Sequence, residues 1–205
     1  MEGPAVSKRN LASLYALVAS LAALFTPAPA TADSADGAVL LVAQPELASP
    51  LYGSTILLVK PVAGGAHMGF IINKPTTVKL GEVFPEHESS KKIADPLFLG
   101  GPAGIDRIFA LVEGRNAAGD RAIQITPDLF LASEAKAVDR IIDAEADHAR
   151  FFIGLVVWRP GELDDEIERG LWFVEQPDAK LVLNRKTDGL WEELVRRSEA
   201  RAKTI

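Results

Sequence analysis

Ten consecutive residues, ARFFIGLVVW from Ala149 to Trp158, are almost wholly apolar and rich in aromatic and β-branched side chains. That length and composition suit a central strand, so the rest of the chain has to supply a sheet around it. Shorter runs of the same kind supply it. AVLLVAQ (residues 38–44), STILLVK (54–60), MGFIINK (68–74), PLFL (96–99), IDRIFALV (105–112) and LWFVEQ (171–176) each read as a strand, and AKLVLN (179–184) as a short one. QPELASPLYG is loop chemistry, and PVAGGAH between two of the strands makes a hairpin. Hairpin-length turns favour antiparallel pairing.

Helices come later and are fewer. Within ITPDLFLASEAKAVDRIIDAEAD, Ser133 is placed to cap a helix with Glu134 in its first turn, and Ala135, Val138, Ile141 and Ile142 fall on one face. TVKLGEVFPE holds at most one helical turn. The chain ends in a helix capped by Thr187 or Asp188, with Leu190, Trp191, Leu194 and Val195 as its apolar stripe. Glu192 with Arg196, and Glu193 with Arg197, are i,i+4 pairs along it. Strands first and helices inserted late indicate α+β rather than regular βαβ winding.

The first 32 residues differ in kind. Lys8 and Arg9 precede the apolar LASLYALVASLAALF, and TPAPATA ends in small residues. This is the order of a signal peptide over residues 1–32, leaving one domain over 33–205 in the periplasm or secreted. The alternative is an uncleaved N-terminal anchor, the one arrangement that would bring the protein to a membrane. Removing Glu2, Lys8 and Arg9 with the leader takes the net charge from −6 to −7. With no basic run longer than two residues, direct nucleic-acid binding is disfavoured. There are no cysteines, which excludes disulfides, thiolate catalysis and cysteine-bound metal.

FLGGPAGIDRIF looks at first like a phosphate loop. A phosphate loop feeds a helix and carries a lysine after its glycines, whereas here the glycines lead into a strand and the lysine is missing, so they read as a tight turn joining two strands. His67, His87 and His148 lack metal-ligand spacing, and no metal or cofactor is expected. GELDDEIERG places five acids after Pro160-Gly161, where they complement the start of a helix, and Glu166 shares a face with Glu162. No serine lies in a nucleophile elbow, so a hydrolase would need a site assembled from distant residues.

Several segments together carry a resemblance. AQPELASPLYGSTILLV, MGFIINKP, PLFLGGP with DRIFALV, GLVVWRPGELDDEIERGLWFV and WEELVRR stand in the order and spacing of the YqgE/AlgH family, an uncharacterised protein family. MGFIINKP resembles its G-x-I/V-I/L-N-R/K-P signature, and the Trp158 segment resembles its W-x-x-G-Q-L-E-x-E pattern. Glu162 replaces the glutamine of that pattern, and Asp164 a glutamate. The resemblance implies an α+β fold with a bifurcated, mainly antiparallel sheet partly curled into a small barrel, surrounded by helices. It implies no established enzymatic activity, although some members carry a transcription-regulator label. By motif match the candidate ligand-binding residues are Asn73, Pro75, Gly100, Gly101, Trp158 and Glu166. Asn73 has an equal claim to a structural role, bonding its own backbone in a turn. The expected function is a non-enzymatic module binding a small molecule or protein in a groove beside Gly100-Gly101 and the end of the Trp158 strand. A hydrolase is the alternative, and a regulator the weaker one.

Overall fold

The computed structural model describes residues 37–119 and 121–203; the expected signal peptide lies outside them. Among the described residues ten strands and six α-helices stand in chain order: β1 (Val39–Ala43), β2 (Ile56–Pro61), β3 (His67–Ile71), β4 (Pro75–Lys79), α1 (Leu80–Val83), β5 (Pro96–Leu99), β6 (Ala103–Glu113), α2 (Arg115–Ala118), β7 (Ile123–Gln124), β8 (Leu129–Ala132), α3 (Ala135–Ala144), β9 (Ala149–Trp158), α4 (Glu162–Glu168), β10 (Trp172–Glu175), α5 (Ala179–Leu183) and α6 (Leu190–Ala202). The main sheet runs β10-β1-β2-β3-β9-β6-β8-β7, and β4-β5 hangs off it through β9. It is antiparallel except for β5 against β9, and it curls into a half-barrel.

The fork is at β9. One edge of β9 pairs with β6 alone, over residues 149–155. The other edge is divided: β5 pairs with Phe152 and Ile153, and β3 pairs with residues 156–158. The continuous apolar runs result from burial on both faces. In β1 and β2, Leu40, Val42, Ile56 and Leu58 enter a core closed by α5 and α6, while Leu41, Ala43, Leu57 and Val59 enter a second core under α4. A third core lies between α3 and the β6-β8 part of the sheet. β9 touches all three.

Its facing changes midway. Before Gly154, Phe152 points into the α5/α6 core; after it, Leu155 takes that side and Val156 and Trp158 fill the core under α4. Gly154, at φ +67°, is the residue that shifts the alternation. The β6 partner strand is irregular at the same place: Ala103 pairs with Leu155 and Ile108 with Ile153, so the four residues 104–107 stand against Gly154 alone.

Here the expected tight turn is corrected. β5 and β6 do not pair with each other; they lie on opposite edges of β9, and residues 100–102 carry the chain across it. A Cβ on Gly101 would sit 2.3 Å from the Leu155 carbonyl carbon, and one on Gly154 2.3 Å from the Gly101 oxygen. The glycines exist so that one backbone can pass directly over another.

Other expectations are also corrected. AKLVLN is α5, not a strand: Asp178 accepts the Leu181 N–H at 3.0 Å, and Val182 is buried. A short apolar run suits either state, and the cap decides. Ser133 does not cap α3, whose N-cap is Glu134 without a side-chain bond, and the buried face uses Ala137 in place of the exposed Ala135. Neither Thr187 nor Asp188 caps α6, which starts after Gly189 at φ +72°. Arg197 does not fold along its own helix to Glu193. It reaches Glu175 at 3.5 Å, joining Arg201 and the Ser198 hydroxyl on that buried carboxylate. β4, β7 and β8 are strands that the sequence patterning does not announce.

Candidate functional site

The six candidate residues fall into two places. Gly100 and Gly101 are buried in the crossing over β9, with Gly100 N–H donating to Ile153 O at 2.8 Å and Ile71 N–H donating to Gly100 O at 2.8 Å. Pro75 is exposed at the start of β4, opposite Phe98. Asn73 does not bond its own backbone. Its Oδ1 accepts the Ile56 N–H at 2.8 Å and its Nδ2 donates to Ser54 O at 2.9 Å. The neighbouring Lys74 donates to the carbonyls of Leu51 and, at 3.4 Å, Pro50, and burial lowers its ammonium pKa.

Asn73 and Lys74 therefore clasp the proline loop from one side. The loop braces itself from within: Ser49 Oγ accepts the Tyr52 N–H at 3.1 Å, and Thr55 Oγ1 donates to Tyr52 O at 2.6 Å. The result is a fixed Tyr52, edge-on to Trp172 with ring centroids 6.5 Å apart. Asn73→Ala removes two bonds to backbone, which predicts a loss of about 1–2 kcal/mol, read from the urea midpoint. A change below about 0.3 kcal/mol would mean the clasp does not matter.

Trp158 and Glu166 do come together, in a cleft of about 300 Å³ bounded by the ends of β9 and β10, by α4 and by Tyr52. Gly100 and Gly101 are not among the residues lining it, so the groove expected to join all these residues is narrower than the motifs imply. α4 begins after Gly161. Glu162 turns back, its carboxylate accepting the Arg159 backbone N–H at 2.7 Å and Nε–H at 2.6 Å. These hydrogen bonds from Arg159 hold Glu162 below the usual carboxylate range. One turn further on, Glu166 faces the sheet. Its Oε2 accepts the indole N–H of Trp172 at 2.8 Å and that of Trp158 at 3.1 Å. Both rings are nearly sealed, at 5% and 4% exposure, so each indole N–H needs this acceptor. Gly69 leaves room for the Trp158 ring, since a Cβ there would lie 3.0 Å from it. Burial, and then the Glu166 charge, push the Tyr52 hydroxyl above its ordinary pKa, so it stays neutral.

Replacing Glu166 by alanine strands two buried donors and should cost about 2–4 kcal/mol. Glu166→Gln keeps an acceptor oxygen in place and should cost less than about 1 kcal/mol by the same denaturation measurement. Equal losses for the two would show that the carboxylate charge, not its acceptance, holds α4 down.

Sequence reasoning missed Tyr52 and Arg169, which also line this cleft, and did not count Trp172 among the candidates. The pairing of two indoles on one carboxylate has no local signal, because the three residues are joined through strand, helix and strand. It also passed over Arg150, the single charge inside the β9 run. That guanidinium is 2% exposed, lies 3.9 Å over the centre of the Phe98 ring, and donates to the carbonyls of Ile72 and Val182.

Comparisons with known proteins agree with this fold. A family model described as AlgH-like matches residues 40–203. The UPF0301 protein CT0663 of Chlorobaculum tepidum is 29% identical over 160 residues, 77% of this chain and 83% of the relative. The UPF0301 protein of Parabacteroides distasonis is 30% identical over 161 residues, 76% and 79% of the two chains. Among solved structures, the solution structure of the AlgH protein from Pseudomonas aeruginosa superposes with a TM-score of 0.64 at 20% identity, covering 78% of this chain and 87% of that one. The crystal structure of protein DIP2367 from Corynebacterium diphtheriae gives 0.62 at 23% identity, covering 78% and 85%.

Proposed function

This chain belongs to the AlgH-like family, a group without an established biochemical activity, and from its geometry we propose that it is a binding module taking a small ligand in the cleft beside α4. The observation that carries this reading is Glu166. Its carboxylate is held rigid by two indole N–H groups at the wall of a cleft large enough for a small molecule, and its second oxygen is left without a protein partner among the described residues. Pre-organised polar groups in an aromatic-walled concavity are the usual make-up of a ligand site. The clasp of Asn73 and Lys74 on the proline loop supports it, because its effect is to fix a third aromatic wall, Tyr52. Among the described residues no serine, threonine or histidine lines the cleft, so a serine or threonine nucleophile paired with a histidine base has no members there.

Val157 provides the test. Its side chain is exposed and lines the cleft without entering the cores, so Val157→Arg should fill the cleft and leave the fold intact. A metabolite panel screened by thermal shift should contain a compound that raises the melting temperature of the wild type and not of Val157→Arg. A panel without hits, or hits that stabilise both proteins alike, would remove the reading.

A further inference from the structure

Resting on that reading, we infer that the ligand of the α4 cleft carries a protonated nitrogen, an ammonium or guanidinium group, which docks on Glu166 Oε1. Three features point the same way. Oε2 is consumed by the two indoles, so the carboxylate is fixed in orientation; Oε1 has no hydrogen-bond partner among the described residues and is not sealed from solvent. The walls beside it are Tyr52, Trp158 and Trp172, and the two indole N–H groups that could have met an anionic ligand are already given to Oε2. The other charges in the lining are unequal in their freedom. Glu162 is committed to Arg159, while Asp165 is exposed and adds a second negative charge; among the described residues Arg169 is the one cation lining the cleft. An anionic ligand would have to approach a fixed, partly desolvated carboxylate, whereas an N–H-bearing cation completes it with a charge-assisted bond. A quaternary ammonium has no N–H to give, so it should bind less well than a primary amine of the same size.

The experiment uses agmatine and 1,4-diaminobutane as cationic probes, with tetramethylammonium, 1,4-butanediol and succinate as the quaternary, neutral and anionic controls. Binding is read from tryptophan fluorescence, since the Trp158 and Trp172 indoles donate to the carboxylate concerned, and from the thermal shift. The expected result is saturable binding of a probe amine that weakens with added salt, falls at least about tenfold in Glu166→Gln, and is lost in Val157→Arg. Arg169→Gln removes the competing cation and should strengthen amine binding severalfold, a gain that a damaged fold cannot mimic. Amine binding unchanged in Glu166→Gln and Arg169→Gln overturns the inference. Butanediol or succinate binding that Val157→Arg blocks, with no amine binding, overturns the cation and leaves the cleft as a site. Silence across all five probes overturns the cation, and the broad panel then decides whether the cleft binds at all.

Discussion

Gly101→Ala should leave little folded protein. The added Cβ would lie 2.3 Å from the Leu155 carbonyl carbon, 2.4 Å from its oxygen and 2.5 Å from the Val156 nitrogen. All three atoms are backbone of the central strand, so no side chain can swing aside. Relief has to come from lifting residues 100–102 off β9, which breaks the Gly100 N–H bond to Ile153 and the Ile71 bond to Gly100 that hold the two arms of the fork. The expected loss exceeds about 4 kcal/mol, a large part of the stability of an ordinary domain. Gly154→Ala should be as severe, for it adds a left-handed φ of +67° to a contact of 2.3 Å with the Gly101 oxygen. Gly104→Ala is the control. Its φ is +64°, yet the nearest atom to its new Cβ would be 4.0 Å away on the flexible Arg107 side chain. It carries the backbone cost alone, about 1 kcal/mol. Denaturation midpoints and soluble yields of the three variants check this. Gly101→Ala within about 1 kcal/mol of the wild type would mean the chain does not cross β9 here.

The same crossing marks the limit of what patterning alone reveals. Glycines between two apolar runs correctly exclude a phosphate loop, because a strand comes after Gly104 and no lysine stands at the required place. Their purpose was not legible, since Gly154 lies far downstream and looks like an ordinary break in an apolar strand. Elements whose signal is internal were read well. β9 with its ten-residue, almost wholly apolar run, the β2-β3 hairpin with its glycines and the stripe of α6 all stand where patterning puts them. Elements fixed by their neighbours were not. β7 has two residues and exists because β8 offers it an edge, while α5 is five mostly apolar residues turned helical by Asp178.

The candidate site divides along the same line. The family motifs marked residues whose places in the fold a motif cannot state. Asn73 and Lys74 shape a loop seventeen or more residues before them, and the loop shapes the wall of a cleft whose other members come from three elements. Glu162, which departs from the family pattern, turns out to serve Arg159 and the start of α4, so the departure leaves Glu166 and its indoles undisturbed.

Arg150 is the second place where a single change should be costly, and there the question is whether charge or shape is required. The guanidinium sits among Phe98, Phe152 and backbone, with no carboxylate among the described residues in hydrogen-bond contact. Asp95, the acid that acts on it, is bonded to Arg185 instead. Burial pulls the Arg150 pKa down to about 9, with the like charge of Arg185 adding to the effect and Asp95 opposing it, so the group is still a cation at neutral pH. A buried cation without a counter-ion is expensive, and what offsets the expense here is geometry. One planar fork bonds the Ile72 carbonyl beyond β3 and the Val182 carbonyl of α5 while stacking on Phe98. It ties together three elements that share no strand pairing of their own at that point. Arg150→Ala leaves both carbonyls unpaired and a cavity in the core, and should cost about 4 kcal/mol. If charge were the requirement, Arg150→Lys would restore most of this. A lysine keeps the desolvation cost, reaches at most one carbonyl and cannot stack, so it should still cost about 2 kcal/mol or more. Urea denaturation of the two variants at neutral pH separates the cases: a lysine variant as stable as the wild type would show that the cation, and not the fork, holds α5 against the sheet.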